Sequence, residues 1–111
     1  MAVTIKNIIP RKHAENSQVT QYTATNATVI IDKFTATNTS SNHAYISVHL
    51  VALGDTAGSD NLVLNARYIA PKEAYLCPEL VGQVLENGGF ISTLAGSANA
   101  IVISASAREI T

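Results

Sequence analysis

At 111 residues the chain has the size of one domain, and a chain of that length buries roughly two thirds of its unfolded surface around a single core. Charged residues make up only 14%, against roughly 25% in an average soluble domain, and Thr, Ser and Asn take their place beside a 47% apolar fraction, a mixture that favours strands and turns over helices. The net charge is −1 and only Arg11 and Lys12 of the seven basic residues are adjacent, which gives no nucleic-acid footprint and little self-repulsion between copies.

The first apolar run, residues 3–9, stops at Pro10, which cannot donate to a sheet ladder. Residues 1–17 therefore read as an N-terminal arm or edge strand, ahead of a β-sandwich domain over 18–111. Val3, Ile5, Ile8 and Ile9 are too apolar for a free tail. With Arg11 and Lys12 at their polar rim, they are candidate protein-contact residues through which the segment would pair with a neighbouring copy or another partner by β-augmentation. Folding onto its own sheet is the other reading of the same run.

Short runs follow at 19–23 and 28–37. In the second, Asp32 shares a parity with Ile30, Phe34 and Ala36, which predicts a bulge or strand end near Lys33. Between the turn-rich stretches 38–42 and 54–60, residues 44–53 alternate, with Ala44, Ile46, Val48, Leu50 and Ala52 on one side, as a half-buried strand does. His49 falls on the other, more polar side beside Ser47, facing solvent or an interface. Residues 62–70 repeat the rhythm, with Leu62, Leu64, Ala66, Tyr68 and Ala70 on one face until Pro71. A run at 74–81 comes next, and residues 80–87 read as a short strand plus a turn, with a one-turn helix as the alternative. Residues 90–95 and 100–107 complete the set, joined at Gly96-Ser97 by what reads as a hairpin turn. About eight short strands separated by Gly- and Asn-rich turns predict an all-β, antiparallel β-sandwich of jelly-roll type. Its expected core is Phe34, Ile46, Val48, Leu50, Leu62, Leu64, Ile101 and Ile103.

The chain offers little to catalysis. Cys77 is a single cysteine between Leu76 and Pro78, so it reads as buried and inert, with no disulfide partner. His13, His43 and His49 lack the short separations of zinc ligands, and Asp55 and Asp60 alone are too few for calcium. Glu73 and Glu79 could lie near each other, but acid-base work needs a pocket that the sequence does not announce. No Gly-x-Ser-x-Gly elbow or phosphate-binding glycine loop occurs. No catalytic residue, metal or cofactor is expected. The N-terminus carries no basic stretch followed by an apolar one, and no apolar run reaches about 18 residues, so neither secretion nor a membrane partner is expected.

One ordered set of phrases remains. Gln21-Tyr22-Thr23 leads into Ala27-Thr28-Val29-Ile30-Ile31-Asp32-Lys33-Phe34. Then come Thr37-Asn38-Thr39-Ser40, Ile46-Ser47-Val48-His49-Leu50, Asp60-Asn61-Leu62, Leu85-Glu86-Asn87-Gly88-Gly89-Phe90-Ile91 and Ala100-Ile101-Val102-Ile103-Ser104. In this the chain resembles a family of small β-sandwich virion proteins of tailed bacteriophages, over most of residues 20–107, with Gly89 where that family often has Asp. The resemblance implies a head decoration or cement protein, bound to the major capsid protein outside the shell, often as a homo-trimer. A neck, collar or tail accessory is the variant of the same reading. It also implies a location in the virion, after assembly in the cytoplasm of a bacterial host, with neither nucleic acid nor membrane as partner. A carbohydrate- or receptor-binding module on a fibre or tail is the reading from another class. The absence of Trp argues against it, because sugar recognition commonly uses aromatic faces.

Overall fold

The structure is a computed structural model and describes residues 2–111. Its strands in chain order are β1 (Val3–His13), β2 (Val19–Thr23), β3 (Thr28–Asn38), β4 (Ala44–Val51), β5 (Leu62–Ile69), β6 (Ala74–Tyr75), β7 (Val84–Leu85), β8 (Phe90–Ala95) and β9 (Ile101–Ile110). They form two antiparallel sheets, one ordered β1-β9-β3-β6 with β7 also on β3, the other β2-β8-β4-β5. Because β6 pairs with Ala36 and Thr37 and β7 with Val29 and Ile30, the two short strands occupy one position along β3. Eight strand positions result, and apart from the β4–β5 link every connection between positions crosses from one sheet to the other. That winding is a jelly roll, the sandwich type expected from the strand spacing.

The crossing pattern corrects one local expectation. Gly96 and Ser97 do not close a hairpin, because β8 and β9 lie in opposite sheets. Gly96 is needed there for room: a Cβ would sit 2.3 Å from the Tyr45 ring, which packs across the turn. The run at 74–81 is likewise not one strand. Positive φ at Cys77 (47°) and Gly82 (84°) bends the chain between β6 and β7 and drops Cys77 and Leu80 into the core. Residues 80–87 hold the end of a turn over 78–82, the short strand β7 and the first residue of the Asn87-Gly88 turn, with no helix.

The core is filled by the inward parity of each strand. In β9, Ile101, Ile103, Ala105 and Ala107 point inward, opposite Asn38, Ala36, Phe34 and Ile31 of β3. The expected bulge is present: the register shifts between Ile31 and Lys33, so Asp32 and Lys33 both face out and Phe34 returns to the core. In the opposite sheet, Ile46 and Val48 of β4 pair with Ala95 and Thr93 of β8, all buried.

Two expected core residues depart from that pattern. Leu50 is only partly buried at the end of the sandwich, and Val51 is fully buried instead. Leu62 is half-buried and outside the core cluster, because Val48 pairs with Leu64 while the adjacent His49 pairs with Leu62. Val63 is the extra residue, and a bulge of this kind moves the preceding side chain to the other face. A second irregularity, with Ala66 at φ 45°, brings Ile69 inward and leaves Tyr68 exposed, reversing the parity read from the sequence.

Strand β1 pairs with β9 from Val3↔Ile110 to His13↔Val102 and is the edge of its sheet. It runs through Pro10, which falls between Ile9 and Lys12 where the register shifts, so the missing N–H interrupts no regular ladder.

Candidate interaction surface

The side of the β1-β9-β3 sheet that faces away from the core divides into an apolar end and a polar end. Residues paired across antiparallel strands share a face, so the rows can be followed strand by strand. At the apolar end Val3 stands beside Ile110 and Thr28, and the next row runs Ile5, Arg108, Ile30, Val84. Ile5 is 82% exposed, Val3 55% and Val84 49%, while Ile30 and Ile110 are half-buried. Arg108 crosses this patch held by Asp32: its Nε donates to both carboxylate oxygens at 3.0 and 3.2 Å and Nη2 lies 2.9 Å from Oδ1. The β3 bulge turns Asp32 outward and makes that pair.

At the polar end Lys33, Thr35 and Thr37 of β3 stand opposite Ser106, Ser104 and Val102 of β9. Arg11 of β1 closes the edge of a shallow concavity of about 300 Å³ lined by Arg11, Lys33, Thr35, Thr37, Val102 and Ser104.

The six residues singled out in the N-terminal segment separate in the structure. Val3, Ile5 and Arg11 face outward and are exposed. Ile8 and Ile9 are buried in the core of their own chain, where the register shift after Lys6 turns them inward. Lys12 donates to Glu15 at 2.9 Å. That hydrogen bond, together with one from Gln21, holds the Glu15 carboxyl below its ordinary pKa. The sequence reading missed Ile30, Val84, Ile110 and the Arg108–Asp32 pair. The even parity of 102–110 in β9 is the signal that could have found part of that face.

Other polar groups are committed to structure. Tyr22, from the edge of the opposite sheet, donates to Glu109 at 2.5 Å, and Lys6 lies 3.6 Å from the same carboxylate, so the three tie the sheets together. Burial first, and then the Glu109 carboxylate, push the Tyr22 hydroxyl well above its ordinary pKa. His49 does not face solvent: it is 8% exposed, with Gln18 bridging it at 3.4 Å and Ser92 at 2.7 Å. Cys77 is buried as expected, and burial pushes its thiol up to about 12, which keeps it protonated at neutral pH. A second concavity, of about 340 Å³, lies at the end of the sandwich between Leu50, Leu53 and Leu85 and is mainly apolar. Among the described residues no three His, Cys, Asp or Glu side chains come together to hold a metal ion. Glu79 accepts from the Tyr75 hydroxyl at 2.8 Å through either oxygen, which raises the pKa of that hydroxyl.

Compared with protein-family models, with curated proteins and with solved structures, the chain matches none.

Proposed function

We propose that the chain is a non-enzymatic structural protein that acts through protein–protein contacts, as a capsid decoration or cement protein of a tailed bacteriophage head. The observation that carries the reading is the apolar end of the outer β1-β9-β3 face. Isoleucine and valine side chains from four strands share this face around the Arg108–Asp32 pair, Val3, Ile5 and Val84 exposed and Ile30 and Ile110 half-buried, and an apolar patch of that kind marks an interaction site. The phage setting rests on the resemblance of the strand and turn phrases to small virion proteins, and the jelly roll is a frequent architecture of capsid domains, which is an argument by analogy. A stable station on a shell needs about 1,000 Å² or more of buried contact, so the patch would form the centre of a larger interface.

Two measurements test the reading. Replacing Ile5 and Val84 by Asp leaves the core untouched and is expected to abolish self-association in sedimentation velocity and binding to purified particles, with an unchanged circular dichroism spectrum. Full retention of both in the folded double variant overturns the assignment of the surface. Quantitative mass spectrometry of purified particles gives copy number. A number comparable with the major capsid protein fits the shell, a handful fits a neck, collar or tail accessory, and absence from particles overturns the virion assignment.

A further inference from the structure

Among the described residues, five of the seven cationic side chains are engaged within the chain. Lys6 lies 3.6 Å from Glu109, Lys12 2.9 Å from Glu15, and Arg108 2.9 Å from Asp32. Lys72 donates to the Thr39 carbonyl at 2.7 Å, and the Arg67 guanidinium lies 4.3 Å above the Tyr75 ring. The two that make no such contact, Arg11 and Lys33, line the same concavity. They come from β1 and β3, strands that are not paired with each other but flank β9 on either side.

The floor between them carries three hydroxyls, those of Thr35, Thr37 and Ser104, beside Val102. Thr35 and Ser104 are cross-strand partners, and Thr37 lies two residues further along the same face. Opposite residues in an antiparallel pair place their Cβ atoms about 4.5–5.5 Å apart, so one tetrahedral anion can reach both hydroxyls at once. All three residues are half-buried, and among the described residues none of their hydroxyls has a hydrogen-bond partner. No carboxylate lines the concavity. Asp32, beside Lys33 in the chain, is already held by Nε and Nη2 of Arg108. Two unpaired cations over three unpaired hydroxyls, without a competing acid, form a donor set for an oxyanion: charge attracts it, and hydroxyl donors together with the planar guanidinium orient it.

We propose that this concavity binds a tetrahedral oxyanion of the phosphate or sulfate type, either free or carried as an ester on a larger molecule. The site lies at the opposite end of the face from the apolar patch, and the inference does not depend on what that patch binds.

The test is titration of the isotopically labelled full chain, followed by backbone amide shifts, with inorganic phosphate, sulfate, glucose 6-phosphate and glucose. The expected result is saturable shifts centred on Arg11, Lys33, Thr35, Thr37 and Ser104, produced by the anions and not by glucose, and weakened by added sodium chloride. Arg11→Gln and Lys33→Gln are each expected to weaken binding by at least about tenfold, since each removes a charge-assisted hydrogen bond to the anion. Both side chains lie on the surface, so the variants should keep the parent spectrum, and Lys33→Arg should retain binding. Tighter binding of glucose 6-phosphate than of phosphate identifies an ester ligand, and equal binding identifies the free anion. Shifts that grow linearly without saturating, shifts centred elsewhere, or full affinity in the folded Arg11→Gln/Lys33→Gln variant overturn the proposal.

Discussion

Asn38, at the end of β3, is fully buried, and its side chain is a four-way junction. Nδ2 donates to the carbonyls of Asn42 at 2.7 Å and Ile69 at 2.8 Å, while Oδ1 accepts from the Ser40 amide at 2.9 Å and the Ser40 hydroxyl at 2.7 Å. It fixes the 38–42 turn and fastens it to the end of β5. In Asn38→Ala the partners at Ser40 and Asn42 can turn to water, because Asn42 is exposed and Ser40 half-buried. The Ile69 carbonyl accepts inside the protein and has no such recourse. One stranded buried acceptor costs about 1–3 kcal/mol and each exchanged hydrogen bond about 0.5–1.5 kcal/mol before solvent compensation, so the substitution should destabilise the fold by about 2–4 kcal/mol. Asn38→Asp should cost more at pH 7. It keeps the shape but points a charged oxygen at two carbonyls, and the deficit should shrink toward pH 4 as the buried carboxyl takes up a proton and regains one donor. Urea unfolding followed by circular dichroism at both pH values measures these differences. A cost for Asn38→Ala below about 0.5 kcal/mol, the size of an ordinary surface change, would refute the account of the junction.

Stability should be lost at alkaline pH. The folded-state pKa of Cys77 is raised from 9.0 to about 12 and that of Tyr22 is raised from 10.0, so each contributes stability that is full below its unfolded value and declines as pH rises. The decline should begin near pH 9 and steepen above pH 10; Cys77→Ala should remove the first part and Tyr22→Phe part of the second, as read by denaturant midpoints across that range. Gly96→Ala should push the Tyr45 ring aside, weaken its contact with Tyr68 at a centroid separation of 5.3 Å, and cost about 1–3 kcal/mol. Thermal melts check this, and an unchanged midpoint would show that the turn yields freely.

The sequence by itself determined the class of fold and much of the inner face. Side-chain direction alternates residue by residue in any extended strand, so Ile101 and Ile103, Ile46 and Val48, and even the outward bulge near Lys33 could be read without knowing a partner strand. The buried cysteine was legible from its apolar neighbours, although a positive-φ bend and not strand alternation carries it inward. Tertiary structure decided whatever depends on pairing. Leu62 and Ile69 changed faces because bulges in β5 are defined against β4, and Ile8 and Ile9 entered the core because β1 pairs with β9, almost the whole chain away. The candidate surface was half visible for that reason: Val3, Ile5 and Arg11 stand together in the sequence, but Ile110 reaches them only through the β1–β9 pairing and Ile30 and Val84 only across β9. No local pattern could show that Arg11 and Lys33 are the two cations left without partners. Whether a charge is neutralised depends on what the opposite strand places beside it, and register is set by the whole sheet.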